Sequence, residues 1–160
     1  MSNRLSPENV QRYRALKPAT DAAGRTSLYY SLKNAARAWF TVLIDQGNAA
    51  TIAISLEQAT AVAGTGTKGL DTLHRIWASN DLAVTKDPTR QADAANFTTD
   101  AELKEKMVII EIDLESLDVA GGFDCIAITT GASHAANLTA AVLEIETKYP
   151  QAAPPTATAN

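Results

Sequence analysis

Apolar and polar residues alternate with period two through most of the chain. Met107 to Leu114 is the clearest run: Val108, Ile110, Ile112 and Leu114 fall on one face, and Glu111 and Asp113 on the other. Ala38 to Asp45 and Thr51 to Leu56 read as two further strands. The short Gln46-Gly47-Asn48 turn between them predicts an antiparallel hairpin. Ser27 to Leu32, Leu70 to Ala78, Phe123 to Thr130 and Leu138 to Tyr149 continue the pattern, with Leu143 and Ile145 inward and Glu144 and Glu146 outward on the last.

Helical signals are weak by comparison. Ser6 as a cap and Pro7 at the first helical position predict a short helix from Glu8 to Leu16. Glu57 to Ala63 has room for a turn or two, and Phe97 to Leu103 resembles a short helix capped by Thr99 or Asp100. The stretch Ser79 to Asn96, with Pro88, predicts an irregular excursion or an edge strand. Six to eight short strands with little helical period predict a mainly β fold: an antiparallel β-sandwich or jelly-roll-like barrel with one or two short helices and an extended N-terminal arm. The expected organisation is a basic arm over residues 1–26, a sandwich over 27–150 and a flexible tail over 151–160.

Composition narrows the function. The 160 residues include 30 Ala and 18 Thr but only 6% aromatics, so the core must be built from aliphatic and small side chains. No run approaches the roughly 18 apolar residues of a membrane helix, and the first residues lack a secretory apolar segment, which predicts folding in a cytoplasm. The formal charge of -4 conceals an asymmetry. Residues 1–40 carry seven basic and two acidic groups, or +5, and residues 41–160 carry seven basic and sixteen acidic groups, or -9. A basic leader on an acidic body points to contact with another surface, through Arg4, Arg12, Arg14, Lys17, Arg25, Lys33 and Arg37. Nucleic acid fits poorly, because these charges are sparse and the body is acidic.

Tests for reaction chemistry fail in turn. Gly64-Thr-Gly-Thr-Lys68-Gly69 has Gly69 where a phosphate loop needs a hydroxyl beside the lysine, and reads as a surface loop. Cys125, the single cysteine, lies mid-strand as a small buried hydrophobe would. His74 and His134 are not accompanied by a nucleophile elbow. Asp113, Glu115, Asp118 and Asp124 cluster around one turn but without calcium-loop spacing. Trp39 and Trp77 could stack a sugar, although core or interface packing is the commoner use of such side chains. The chain is therefore read as a non-enzyme without catalytic residues, metal or cofactor.

Three segments resemble small head-region proteins of tailed bacteriophages: Ala38 to Thr60, beginning Ala-Trp-Phe-Thr-Val-Leu-Ile-Asp-Gln-Gly-Asn; Ala63 to Leu70; and Ser116 to Ser133, which contains Ala-Gly-Gly-Phe-Asp-Cys-Ile-Ala-Ile-Thr-Thr-Gly. The resemblance spans roughly residues 37 to 150 and carries no catalytic motif. It implies a virion structural component of the capsid decoration or cement kind, made in a bacterial host's cytoplasm. Its partner would be the major capsid protein, bound in multiple copies or as a homo-oligomer, with no membrane role. A minor head or connector protein, or a carbohydrate-binding sandwich, are the alternative expectations.

Overall fold

The computed structural model describes residues 8–150 and 152–159. Two antiparallel sheets pack face to face. The larger contains β1 (Val10–Thr20), β4 (Ala35–Gln46), β7 (Arg75–Ser79), β8 (Thr89–Arg90), β10 (Glu105–Ile112) and β12 (Asn137–Thr147), in the spatial order β1-β12-β4-β10-β7-β8. In the smaller, β2 (Arg25–Thr26), β11 (Cys125–Thr130), β5 (Ala53–Ala59) and β6 (Lys68–Gly69) follow one another, while β3 (Tyr30–Ser31) also pairs with β11 and β9 (Asn96–Thr98) with β5.

Alternation fills the space between them. Phe40, Val42 and Ile44 of β4, Val108 and Ile110 of β10 and Leu143 and Ile145 of β12 face Ile54 and Leu56 of β5 and Ile126 and Ile128 of β11, all buried. With Phe40 the only phenylalanine among the fully buried side chains, this core is aliphatic, as the composition requires. Mainly β architecture in a sandwich of two open antiparallel sheets is thus what the alternation predicts.

Several local expectations are corrected. The segment expected to be a helix from Glu8 to Leu16 is the edge strand β1, because pairing with β12 from Val10↔Glu146 to Thr20↔Leu138 satisfies its backbone and lets Leu16 enter the core. Its register shifts twice, between Arg14 and Leu16 and between Leu16 and Ala19, and this irregularity at an edge accommodates Pro18, which has no N–H to donate. Residues 10–20, 25–26 and 30–31 are accordingly built into the two sheets; residues 1–7, including Arg4, lie outside the described residues.

β4 and β5 do not form a hairpin. They belong to different sheets, since the loop 47–52 carries the chain across the sandwich and sets Ile44 and Ile54 on facing layers. Asn137, fully buried, fixes this corner: its Nδ2 donates to the Ala50 carbonyl (2.7 Å) and its Oδ1 accepts the Asn48 N–H (2.7 Å). No helix forms at residues 57–63, where β5 runs on to Ala59 and pairs Glu57 and Gln58 with β6. Nor does one form at residues 97–103: Thr99 Oγ1 accepts the Ile52 N–H (3.0 Å), and Asp100 turns the chain toward Glu102. Thr89–Arg90 supplies the edge strand foreseen within 79–96.

Within the tail, Pro155 and Ala157 also contact the body. Ala157 is buried, its carbonyl accepts the Ser31 N–H (2.8 Å) and its N–H donates to the Tyr13 hydroxyl (3.0 Å). Tyr13 in turn packs on Tyr30 with ring centroids 5.2 Å apart, so the tail seats against the seam between β1 and β3.

Candidate functional site

At the end of the sandwich where β4 starts and β10 finishes, the chain opens a cleft of about 1090 Å3. Its walls come from the turn before β4, the start of β7 and two short 3-10 helices, Leu114–Ser116 and Val119–Gly121. These helices exist because two aspartates cap them. Asp113 accepts the Glu115 N–H and Asp118 accepts the Gly121 N–H (2.9 Å), and Gly122 at φ 83° supplies the left-handed exit. Three of the four carboxylates that clustered in the sequence, Asp113, Asp118 and Asp124, are therefore engaged by this chain's own donors. Asp118 also pairs with Lys68 (2.6 Å), which holds its carboxyl below the ordinary range, and Asp124 pairs with Lys33 (3.2 Å). Among the described residues no group of three potential metal ligands is assembled.

Apolar lips flank the cleft. Leu73 and Val119 stand 67% and 66% exposed, far more than their side chains would be in a packed interior. Between them the floor is Leu32, Ala35, Ile112 and Leu117. The charged rim alternates in sign, with Lys33, Arg37, Arg75 and Lys148 set among Glu111, Asp113 and Glu115. Arg37 and Arg75 share Glu111 (3.0 and 3.7 Å), and in both pairs the carboxylate is tucked in at 18% exposure while the guanidinium projects. The two arginines therefore project, and the exposed Asp93, Asp113 and Glu115 lie on the same rim, so it presents both signs outward. A shallow apolar trough with projecting guanidiniums suits a protein surface more than a small molecule.

The basic residues singled out in the sequence are distributed over several places. Lys33 and Arg37 line the cleft. Arg12 (bonded to Glu144, 2.7 Å) and Arg14 stand on the outer side of the six-stranded sheet, and Lys17 is exposed farther along β1. Arg25 works inside the fold: its Nε donates to buried Asp21 (2.9 Å), its Nη1 to the Lys17 carbonyl (2.7 Å) and its Nη2 to the Thr139 carbonyl (2.8 Å), so it clasps three strands. Sequence reasoning missed Leu73, Arg75, Val119 and Lys148. Leu73 alternates with Arg75 and Trp77 in the sequence, and that outward phase was its only signal.

The other candidates also have definite surroundings. Cys125 is buried, and burial followed by its hydrogen bond to Asp124 pushes its thiol up to about 12, which leaves it un-ionised at neutral pH. His74 is buried with only a long contact to the Leu70 carbonyl (3.4 Å), and desolvation lowers its pKa. His134 Nδ1 accepts the Ala136 N–H in a surface turn. Each tryptophan face has a guanidinium near it, Arg37 at 6.0 Å from Trp39 and Arg90 at 5.0 Å from Trp77, and Trp39 also donates to Glu144 (2.6 Å).

Fold and site together define an antiparallel β-sandwich with a charged-rimmed cleft at one end. No protein-family model matches the chain, and no curated protein matches it. Among solved structures it is similar to the crystal structure of SPBc2 prophage-derived protein YomS, at a TM-score of 0.46 and 10% identity, over 86% of this chain and 94% of that one.

Proposed function

We propose that this chain is a structural protein of a tailed-phage virion that binds the capsid surface and stabilises it, as a decoration or cement protein does. The observation that carries the reading is the end cleft, where Leu73, just ahead of β7, and Val119, on a short 3-10 helix, stand exposed beside the projecting arginines Arg37 and Arg75. Burying those two side chains against a partner would contribute about 1.5–3 kcal/mol each. A weak single contact suffices when many copies sit on one shell, because the shell presents its sites at high effective concentration. The phage assignment itself rests on the resemblance of residues 37–150 to head-region proteins.

In this reading the cleft meets a ridge or loop of the major capsid protein, and Lys33, Arg37 and Lys148 engage its carboxylates. Sugar binding through Trp39 or Trp77 is less well supported, since an arginine already lies near each ring. Binding of purified protein to capsids, with Leu73 and Val119 replaced by aspartate, tests the proposal.

A further inference from the structure

The part of the cleft wall that lies ahead of β7 hangs on a single pair of backbone hydrogen bonds. The ladder of β7 with β10 begins at Arg75↔Glu111. Before it there is one isolated bridge, in which the His74 N–H donates to the Ala94 carbonyl (3.0 Å) and the Ala94 N–H to the His74 carbonyl (3.2 Å). Leu70 is anchored upstream by its N–H on the Leu56 carbonyl (2.9 Å), but Asp71, Thr72 and Leu73 between the two anchors are exposed. The lining residues Leu73, Arg75 and Asp93 each adjoin a residue of the bridge, so the bridge sets where they stand.

The His74 side chain lies under this bridge, in phase with Ile76 and 1% exposed. Its Nε2 has the Leu70 carbonyl at 3.4 Å, and its Nδ1 is buried with no hydrogen-bond partner. A neutral imidazole fits here, with its hydrogen on Nε2 and a lone pair on Nδ1. A charged one does not, because it carries hydrogens on both nitrogens and the site offers Nδ1 no acceptor. The charged groups around it do not alter this balance. Asp113, just past β10, favours the cation, yet desolvation outweighs it and the ring's pKa is lowered. Asp71 and Arg75 on the same segment are exposed, Arg75 leaning on Glu111, and Asp93 beyond the bridge pairs with Arg90. Continuing the β7–β10 register by one residue sets apolar Ile112 beside the ring.

We infer that His74 is an acid-sensitive latch on this wall: the neutral ring stays under the bridge and holds Leu73 and Asp93 in place, and protonation favours a state in which the ring is in water and the bridge is broken. Opening is local, since it breaks two backbone bonds at the end of β7 and leaves the ladders of β4, β10 and β12 intact. An imidazole in water titrates near 6.5, so the wall is fully latched above that pH, and each unit below it favours opening up to about tenfold until the folded value is reached. The regulatory consequence rests on the capsid-binding reading: the apparent affinity of the cleft falls with the latched fraction, so acid loosens its grip on a partner.

Residue-resolved amide exchange on the full chain at pH 7.5 and 5.5, expressed as protection factors so that the intrinsic pH dependence of exchange is removed, tests the latch. The His74 and Ala94 amides are expected to be less protected than those of central β4 at both pH values, and to lose up to about tenfold in protection between them. His74→Leu, which fills the site with an apolar side chain, and His74→Gln, which keeps a neutral polar one, are each expected to abolish that loss; His134 is common to every variant, and circular dichroism verifies the folds. Protection at His74 and Ala94 equal to that of β4 overturns the inference, because the wall then opens only with the whole fold. So does a fall of less than about twofold in the wild type, or an undiminished fall in a folded variant. The measurement needs no capsid, so its failure leaves the proposed capsid binding standing.

Discussion

Lys106 is the least conventional member of the interior, and replacing it with methionine has a calculable cost. Its side chain is 1% exposed, yet the ammonium has four acceptors: Gln46 Oε1 (2.9 Å), the Glu102 carbonyl (2.7 Å), the Asp100 carbonyl (3.2 Å) and the Asp100 carboxylate. Methionine keeps most of the aliphatic stem and removes all four bonds. Not every acceptor is then stranded. The Asp100 carbonyl retains the Gln46 Nε2–H (2.7 Å), while Glu102 and the Asp100 side chain lie where water reaches them. Gln46 is 1% exposed, so its Oε1 stays dry and unpaired, which costs about 1–3 kcal/mol. Loss of the partly solvated ion pair adds up to about 1 kcal/mol. Lys106→Met is therefore expected to lose about 1–4 kcal/mol in urea unfolding, or about 2–15 °C in melting temperature for a domain of this size. Adding Gln46→Leu removes the stranded oxygen, so the double variant should be more stable than the sum of the two single losses. A Lys106→Met loss below about 1 kcal/mol would refute the reasoning, since it would mean that the cost of desolvating the ammonium cancels what its bonds return.

Acidification should weaken the fold through His74. Desolvation by burial lowers its folded pKa below 6.5, opposed by the Leu70 carbonyl and Asp113, so below about pH 6.5 the unfolded chain binds a proton that the folded chain does not. Stability is fully present above that pH and falls as the pH drops toward the folded value; His74→Leu should flatten the change in urea midpoint between pH 7.5 and 5.5, and equal slopes in both proteins would contradict the assignment. Deleting residues 152–160 uncovers the seam between β1 and β3 and leaves the Ser31 N–H without Ala157. A loss of about 1–3 kcal/mol and faster amide exchange at Ser31 are expected, whereas an unchanged melting curve would show that the tail adds nothing.

Period-two alternation carried the sandwich, because each long strand of the larger sheet buries one face only: Val108, Ile110 and Ile112 could be assigned inward from the sequence alone. The same signal says nothing about which strands are neighbours. β4 and β5 are adjacent in sequence and look like a hairpin, yet they face each other across the core, and alternation is satisfied equally well either way. β1 was hidden for a different reason. Arg12, Arg14, Lys17 and Pro18 are characteristic of a guarded edge strand, and such composition resembles a solvated arm until its partner β12 is known. The candidate site was legible only in part. Lys33 and Arg37 carry charge and drew attention, but Leu73 and Val119 are ordinary apolar residues whose meaning depends on being left exposed, and exposure is a tertiary property. Arg25 shows the converse, a conspicuous charge whose work is internal.

Co-sedimentation with capsids that lack the protein tests the central claim most directly. Wild-type protein is expected to pellet with the shells to a saturating ratio, and Leu73→Asp/Val119→Asp, folded by circular dichroism, to lose at least about tenfold in affinity because it places charge on the apolar lips of the cleft. Failure of the wild type to pellet, or undiminished binding by the double variant, would contradict the account.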